Sequence, residues 1–144
     1  MLRINRQTDY AIRIILYLAK QPLGKRVLST QIQKEMLIPP ALSPRIVAEL
    51  ARAKYISTYP GRDGGIELAY APQDISMWDI VNLIEGPIYI SECLIHGQEC
   101  PFENECPVRL HWDPLYDVIR RELESISFAD LVHDAQMLKA FSAE

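Results

Sequence analysis

Cysteine is scarce in this chain: it occurs three times in 144 residues, and all three cysteines lie between positions 93 and 106. Three thiols cannot all pair with one another, so the sequence argues against a fold held together by disulfides. Thiolates are soft ligands, and a group of them is typical of iron–sulfur, zinc or copper(I) sites. The three cysteines are therefore the first candidate for a functional site.

Long hydrophobic runs are absent as well. No stretch of the sequence approaches the roughly 20 apolar residues that a membrane-spanning helix needs. The first six residues, MLRINR, have neither the apolar region nor the cleavage site of a secretory signal. The sequence thus predicts a cytoplasmic protein with no membrane partner, in a compartment where thiols stay reduced.

The sequence also lacks the common signatures of an enzyme. It contains no recognisable nucleophile–base pair, no phosphate-binding loop and no pair of metal ligands at helical spacing. A small metal-dependent enzyme with its site at the cysteines therefore has no support, and we expect a protein that is not an enzyme.

Charge is distributed unevenly along the chain. Residues 1–70 carry eleven Lys or Arg and five Asp or Glu, a net charge of +6, whereas residues 71–144 carry four and fourteen, a net charge of −10. A basic half joined to an acidic half is typical of a protein that contacts nucleic acid with one half. A dipolar protein without a polyanionic partner is the alternative that charge alone leaves open.

Two helices and a turn are predicted at the start of the basic half. Apolar residues three and four apart predict a first helix over about Thr8–Lys20, with Thr8 as its N-cap. Ser29 would cap a second helix over about Thr30–Met36. Residues 37–40 contain two prolines, which push the preceding residues out of the helical region and predict a tight turn.

A third helix should follow this turn. Its start is ambiguous, since Pro40 or Ala41 could open it, or Ser43 could be its N-cap with Pro44 as the first helical residue. Ser43, Arg45, Glu49 and Arg52 are expected on or near its polar side. Two short helices, a turn and an exposed third helix form the helix-turn-helix pattern.

A β-hairpin is predicted after the third helix. Residues 55–59 and 66–70 alternate between apolar and polar, and residues 60–65 are rich in glycine and turn-forming types, with Arg62 at the tip. In this position a hairpin is the wing of a winged helix. The predicted fold class is therefore mainly α with a small β-hairpin wing, although an ordinary hairpin with a solvated arginine is the alternative.

The sequence of the acidic half predicts helices on either side of a loop. Ser76 caps a fourth helix with Asp79 three residues later, and residues 89–107, which hold the cysteines, are predicted to form a loop. Apolar residues at helical spacing then predict a long helix, interrupted or restarted at Pro114. Ser127 should cap a short last helix, followed by a loose tail.

The spacing of the cysteines favours a cluster. Six residues separate Cys93 from Cys100 and five separate Cys100 from Cys106, and proline follows each of the last two. A loop of this length can wrap an iron–sulfur cluster, whereas zinc sites usually contain closer pairs. A thiol switch that needs no metal is the second interpretation, and unliganded structural cysteines are the least favoured.

Several motifs in this order resemble the Rrf2 family of winged-helix transcription regulators, which includes the IscR, NsrR and RirA types. The resemblance covers nearly the whole chain and depends on the order and spacing of the motifs. They lie at residues 8–11, 38–39, 61–68, 75–81 and 84–86, at the three cysteines and at residues 127–131.

The resemblance implies an architecture and a cofactor. Residues 1–72 would form the winged helix-turn-helix domain, and residues 73–144 the cluster-binding loop and dimerisation helix of a homodimer. Cys93, Cys100 and Cys106 would hold an iron–sulfur cluster. The expected function is a DNA-binding regulator, most often a repressor, whose DNA affinity is switched by nitric oxide, iron or redox state. A cluster-free regulator that uses its thiols or a partner protein is the alternative.

The fourth ligand is where this chain departs from some relatives. Arg109 stands where two-iron members carry a histidine, and His111 lies two residues further on. A 4Fe–4S cluster is therefore favoured over a 2Fe–2S cluster. Other members take an aspartate from the first helix of the partner subunit, and Asp9 occupies that position. His96 and His111 are weaker candidates.

DNA contacts follow from the winged-helix pattern, which places the third helix in the major groove and the wing against the backbone or minor groove. The expected partner is double-stranded DNA with a near-palindromic operator. The predicted contact residues are Arg3, Arg6, Lys25, Arg26, Ser29, Ser43, Arg45, Arg52 and Arg62.

Overall fold

A computed structural model describes residues 3–95 and 100–143. These residues form six α-helices and one antiparallel hairpin, which confirms the predicted mainly helical, winged class. The helices are α1 (Arg6–Ala19), α2 (Ser29–Glu35), α3 (Ser43–Arg52), α4 (Met77–Glu85), α5 (Arg109–Ser125) and α6 (Phe128–Ser142), and the strands are β1 (Ile56–Tyr59) and β2 (Gly65–Leu68). Short 3₁₀ turns lie at Pro72–Asp74 and Glu92–Leu94.

Helix α1 begins earlier than the sequence predicts. Asn5, rather than Thr8, is its N-cap, and the Asn5 side chain accepts a hydrogen bond from the Thr8 backbone N–H at 2.9 Å. Thr8 is fully buried in the first turn. The predicted cap is therefore wrong, because the residue that looked like a cap lies inside the helix and packs against the core.

The first residues of α2 and α3 also differ from those that the sequence predicts. Leu28 precedes α2 without any side-chain cap, so Ser29 is its first helical residue and the predicted Ser29 cap is wrong. Helix α3 starts at Ser43, after Leu42 at the N-cap position, so both predicted starts are wrong: Ser43 is the first helical residue and not the cap, and Pro40 and Ala41 lie before the helix. The turn between the two helices is present and places Leu37 at a φ of 53°.

The hairpin is present as predicted. Ile56 pairs with Leu68 and Tyr59 with Gly65, and the strands are joined by the glycine-rich tip. One residue of the segment before α2 pairs with β2. Val27 N–H donates to Ile66 O at 2.9 Å, and Ile66 N–H donates to Val27 O at 2.8 Å. The wing is thus tied by its backbone to the helix-turn-helix.

The core forms around α1. One side of this helix is buried, and it packs against α3, α4, α6 and β2. Buried apolar side chains from the other elements complete the core: Val27, Ile32, Ile38, Ile46, Leu50, Ile56, Ile66, Leu68, Ile75, Ile80 and Phe128. Burial of this apolar surface is the main force that holds the helices together.

Two capping boxes stand side by side in the acidic half. Ser76 with Asp79 caps α4, and Ser127 with Asp130 caps α6, as the sequence predicts for both serines. An isolated bridge pairs Ser76 with Ser127, so the two helix starts are joined. Helix α6 is 15 residues long, which makes the expected short helix with a loose tail wrong.

Helix α5 contains Pro114 and has no fully buried side chain. Trp78 and Tyr116 form an edge-on aromatic pair that joins α5 to α4, with ring centroids 6.2 Å apart. Among the described residues, no helix is both long enough and apolar enough to cross a membrane.

Candidate functional site

The surface of α3 carries exposed cations. Arg45 and Arg52 are both exposed, and Arg45 forms an ion pair with Glu49 one turn later, at 3.3 Å. Exposed i, i+4 pairs of this kind are weak, so Arg45 remains available to a phosphate or a base edge. Ser43, in contrast, is only 2 % exposed. The expectation that it lies on the polar side is wrong, because Ser43 packs inwards with Ile46, while Pro44 and Arg45 of the same turn are exposed. Contact of Ser43 with a base edge stays a prediction.

Three of the predicted cations line one depression. Lys25 and Arg26 lie just before α2, Arg62 lies at the tip of the hairpin, and together they border a depression of about 320 Å³. Lys25 Nζ donates to Gln21 Oε1 at 3.2 Å, while Arg62 is exposed. Cations that line one depression are suited to contact the phosphate backbone of a nucleic acid.

A second depression, of about 380 Å³, lies between α2, α3 and the wing. Ser29 from the start of α2, Val47 from α3 and Thr58 from β1 are among its lining residues. The structure thus brings Ser29 next to the side of α3 that carries Pro44 and Val47, whereas Arg45 and Arg52 are not among the lining residues. Sequence reasoning missed Thr58, because only the register of the hairpin shows which of its side chains reaches this surface.

The two N-terminal arginines lie apart from these depressions. Arg6 is the exposed first residue of α1. Arg3 borders a groove of about 530 Å³, whose apolar lining includes Ile88, Val118 and Leu123. Contacts of Arg3 and Arg6 with phosphates stay a prediction.

The three cysteines are all free and half-buried. Cys93 lies in the short 3₁₀ turn at residues 92–94, and its Sγ is 3.1 Å from Ser91 Oγ. Cys106 borders a depression of about 330 Å³ that also contains Glu103 and Arg109. Arg109 forms an ion pair of 2.7 Å with Glu103, which ties the segment between the last two cysteines to the start of α5.

The donor chemistry of these thiols fits an iron–sulfur cluster, since thiolates are its usual protein ligands. Their arrangement in one chain does not present an assembled site. Within residues 3–95 and 100–143, no three Cys, His, Asp or Glu side chains are gathered so that they could hold a metal ion. Of the histidines considered as ligands, His111 is exposed on α5, and His96 lies outside the described residues.

Asp9 lies in the first turn of α1, where its carboxylate complements the helix dipole. Arg13 Nη2 is 2.7 Å from Asp9 Oδ2, and Arg13 Nη1 donates to Met36 O at 3.0 Å. The Asp9 side chain is still 48 % exposed, so it remains accessible to a second subunit. The link through Arg13 was not part of the sequence prediction, although its spacing of four residues was a signal for it.

A buried tyrosine connects the first two helices. Gln31 Nε2 of α2 donates to Tyr17 Oη of α1 at 3.1 Å. Burial, and then the Glu35 carboxylate, raise the pKa of Tyr17 above its ordinary value of 10.0. The phenol therefore stays neutral and helps to hold α2 in position at any physiological pH.

Comparison with known proteins identifies relatives of the whole chain. A family model described as Rrf2, iron-dependent transcriptional regulator, matches residues 4–134. The HTH-type transcriptional regulator NsrR of Geobacillus kaustophilus is 29 % identical over 144 residues, which cover 99 % of this chain and 98 % of that protein.

Solved structures with this fold are also known. The structure of CymR, the global cysteine regulator of B. subtilis, is similar with a TM-score of 0.75 and 25 % identity, covering 92 % of this chain and 98 % of that one. IscR of T. potens has a TM-score of 0.73 at 22 % identity, covering 93 % and 88 % of the two chains, a likeness of fold.

Proposed function

Because this chain belongs to the Rrf2 family of transcriptional regulators, we propose that it binds operator DNA as a homodimer and represses transcription in response to an iron–sulfur cluster. The observation that carries this proposal is the family match over residues 4–134, combined with three free thiols in the segment before α5. The signal would be nitric oxide, iron or redox state.

The DNA-binding part of the proposal rests on charge and exposure. Helix α3 would enter the major groove with Arg45 and Arg52, while Arg62 on the wing would reach a minor groove. Lys25 borders the same depression as Arg62 and would contact a phosphate. The remaining backbone contacts would come from Arg3, Arg6 and Ser29.

The homodimer is supported by surfaces that one chain leaves uncovered. Helix α5 has no fully buried side chain, and the apolar groove beside it is lined by residues of α5 and of the segment after α4. A second copy packed on α5 would cover this groove. Two-fold symmetry would then require a near-palindromic operator.

The cluster would be held by Cys93, Cys100 and Cys106 of one subunit and Asp9 of the other. The family description as iron-dependent and the NsrR relative support a cluster, and four-iron is favoured over two-iron because Arg109 cannot act as a ligand. A bound cluster supplies an iron centre that reacts with nitric oxide and oxidants. Since the ligands come from both subunits, the relative orientation of the two winged-helix domains would depend on whether the cluster is bound and intact.

This arrangement implies a division of labour along the chain. Residues 1–72 would read DNA, and residues 73–144 would bind the cluster and the second subunit. The two parts share one core, because α1 packs against α4 and α6. A conformational change in residues 73–144 would therefore reach residues 1–72 through the contacts of α1 with α4 and α6.

A regulator without a cluster is the second candidate. It is favoured by the lack, within the described part of the chain, of any assembled group of three metal ligands. In that case the half-buried thiols would themselves respond to oxidation, or a partner protein would bind.

Anaerobic purification followed by native mass spectrometry and DNA titration tests the proposal. The matched control is the Cys93→Ser/Cys100→Ser/Cys106→Ser variant. We expect iron and sulfide in the dimer of the original chain only, and a DNA affinity that changes with nitric oxide only in that chain. A colourless protein whose DNA affinity changes on thiol oxidation would support the cluster-free candidate. Absence of any salt-dependent DNA binding would contradict both.

A further inference from the structure

Three side chains form a closed contact at the base of the wing. The guanidinium carbon of Arg26 lies 3.5 Å from the centre of the Tyr59 ring. The Tyr59 hydroxyl donates to Glu67 Oε1 at 2.6 Å, and Arg26 Nε is 4.0 Å from Glu67 Oε2. We call this set the wing-base cluster.

The backbone explains why these residues meet. Val27 pairs antiparallel with Ile66, which places Arg26 directly across from Glu67. Tyr59 pairs with Gly65, the residue before Ile66, so the same register brings the face of the Tyr59 ring within reach of Arg26. Any other residue at position 65 would bring its Cβ within 2.8 Å of Val27 O, and the φ of 139° there also favours glycine.

We propose that Arg26 is a positioning residue that fixes the wing against the segment before α2, and that it does not serve as a free phosphate ligand. The proposal rests on the DNA-binding function proposed above, since it concerns how Arg62 at the wing tip is aimed relative to α3. Arg26 is suited to this role because a planar guanidinium stacks on an aromatic face while it also faces a carboxylate.

The end of the wing nearest its tip needs such support. Ile56, Ile66 and Leu68 are buried and anchor the rest of the hairpin in the core. Tyr59 and Gly65 form the last pair before the tip, and the wing-base cluster holds this end of the wing. Without the wing-base cluster, the tip of the wing would sample more orientations. DNA binding would then have to order the tip, at a cost in affinity.

The charge of Arg26 distinguishes this role from phosphate binding. The carboxylate of Glu67 is only 18 % exposed and faces the guanidinium, so it offsets part of the positive charge. Lys25 next to it has only an uncharged amide, that of Gln21, within hydrogen-bonding distance among the contacts of the described residues. Lys25 therefore serves as the matched control for a true phosphate contact.

A salt series tests the proposal with Arg26→Ala, Arg26→Lys, Tyr59→Leu, the Arg26→Ala/Tyr59→Leu double variant and Lys25→Ala. We expect each of the first three to weaken DNA binding on the order of tenfold, the scale of a lost cation–π contact. The double variant should be no weaker than either single variant, and the slope of log affinity against log salt should not change. Lys25→Ala should reduce that slope by about one unit.

The opposite pattern would overturn the proposal. If Arg26→Ala reduces the salt slope by about one unit, Arg26→Lys restores binding, and the effects of Arg26 and Tyr59 add, then Arg26 is a phosphate ligand. Hydrogen exchange of the free protein separates this question from DNA binding. Arg26→Ala should speed exchange at the β1–β2 amides, and unchanged exchange there would count against a positioning role even if no DNA is bound.

Discussion

Thr8 Oγ1 donates a hydrogen bond of 2.6 Å to Glu85 Oε1, which joins the first turn of α1 to the last residue of α4. The same carboxylate accepts from the Asn5 backbone N–H at 2.8 Å and from Asn5 Nδ2 at 3.0 Å. One acidic side chain thus holds the start of α1 at the point where α4 ends and the segment that leads to the cysteines begins.

Replacement of Thr8 by valine tests this link. Thr8→Val keeps the shape of a fully buried side chain but removes one donor from the Glu85 carboxylate, so we expect a loss of about 1–2 kcal/mol of unfolding free energy. Urea unfolding measures it. Thr30→Val, at an exposed position of α2, is the control and should change stability much less. Equal effects at both positions would show that the hydrogen bond to Glu85 adds nothing.

The proposal that Asp9 is a ligand from the second subunit predicts a spectroscopic effect. Asp9→Ala should weaken the visible absorbance of anaerobically reconstituted protein and speed its loss in air, because one corner of the cluster would lose its carboxylate. Asp74→Ala removes an exposed carboxylate from the 3₁₀ turn before α4 and serves as control. Unchanged absorbance and lifetime in Asp9→Ala would remove Asp9 from the ligand set.

DNA binding should depend steeply on salt. Arg45→Ala and Arg62→Ala are each expected to reduce the slope of log affinity against log salt by about one unit if they contact phosphates. Lys139→Ala, which removes an exposed cation from the far end of α6, should leave the slope as it is. A slope that is flat for the unaltered protein on every duplex tested would contradict the DNA-binding proposal itself.

The capping box of α6 predicts a pH effect. Hydrogen bonds from Ser127, first from its side chain and then from its backbone, lower the pKa of Asp130 below its ordinary value of 3.8. A carboxyl whose pKa is lowered on folding stabilises the protein above its unfolded pKa, and this contribution disappears as pH falls through the folded pKa.

The variant Asp130→Asn should accordingly be less stable than the original chain near neutral pH, with the difference shrinking at pH values below about 4. Thermal unfolding across this pH range measures the effect. Asp134→Asn, on the same helix but without such donors among the contacts of the described residues, should show a smaller change. A difference that persists unchanged in acid would disprove the linkage.

Local signals account for much of what the sequence predicted correctly. Ser76 was identified as a cap with Asp79 three residues later, and Ser127 was identified as a cap as well; reciprocal capping boxes form at both. The hairpin followed from alternation around a glycine-rich turn. Thr8 was mistaken for a cap because Asn5, three residues earlier, is an equally good one, and only the contact with Glu85 decides between them.

Features that depend on contacts between distant segments could not be predicted. Ser43 looked polar, but the packing of α3 buries it. The stacking of Arg26 on Tyr59 requires the register of Val27 against Ile66, which no local pattern specifies. The length of α6 was underestimated because its outer half, including Leu138, lacks a buried stripe that would mark it as helical.

We expect the stability of this protein to depend on its concentration, because one chain leaves helix α5 without a fully buried side chain. With Val118 and Leu115 facing solvent and no side chain fully covered, the lone subunit gains little from forming this helix. We therefore expect the melting temperature to rise as the protein is concentrated and to fall on dilution, since association of two chains would bury the apolar side chains that one chain leaves exposed. In a cell, the number of copies would then set how much of the regulator is folded and competent, before any signal arrives.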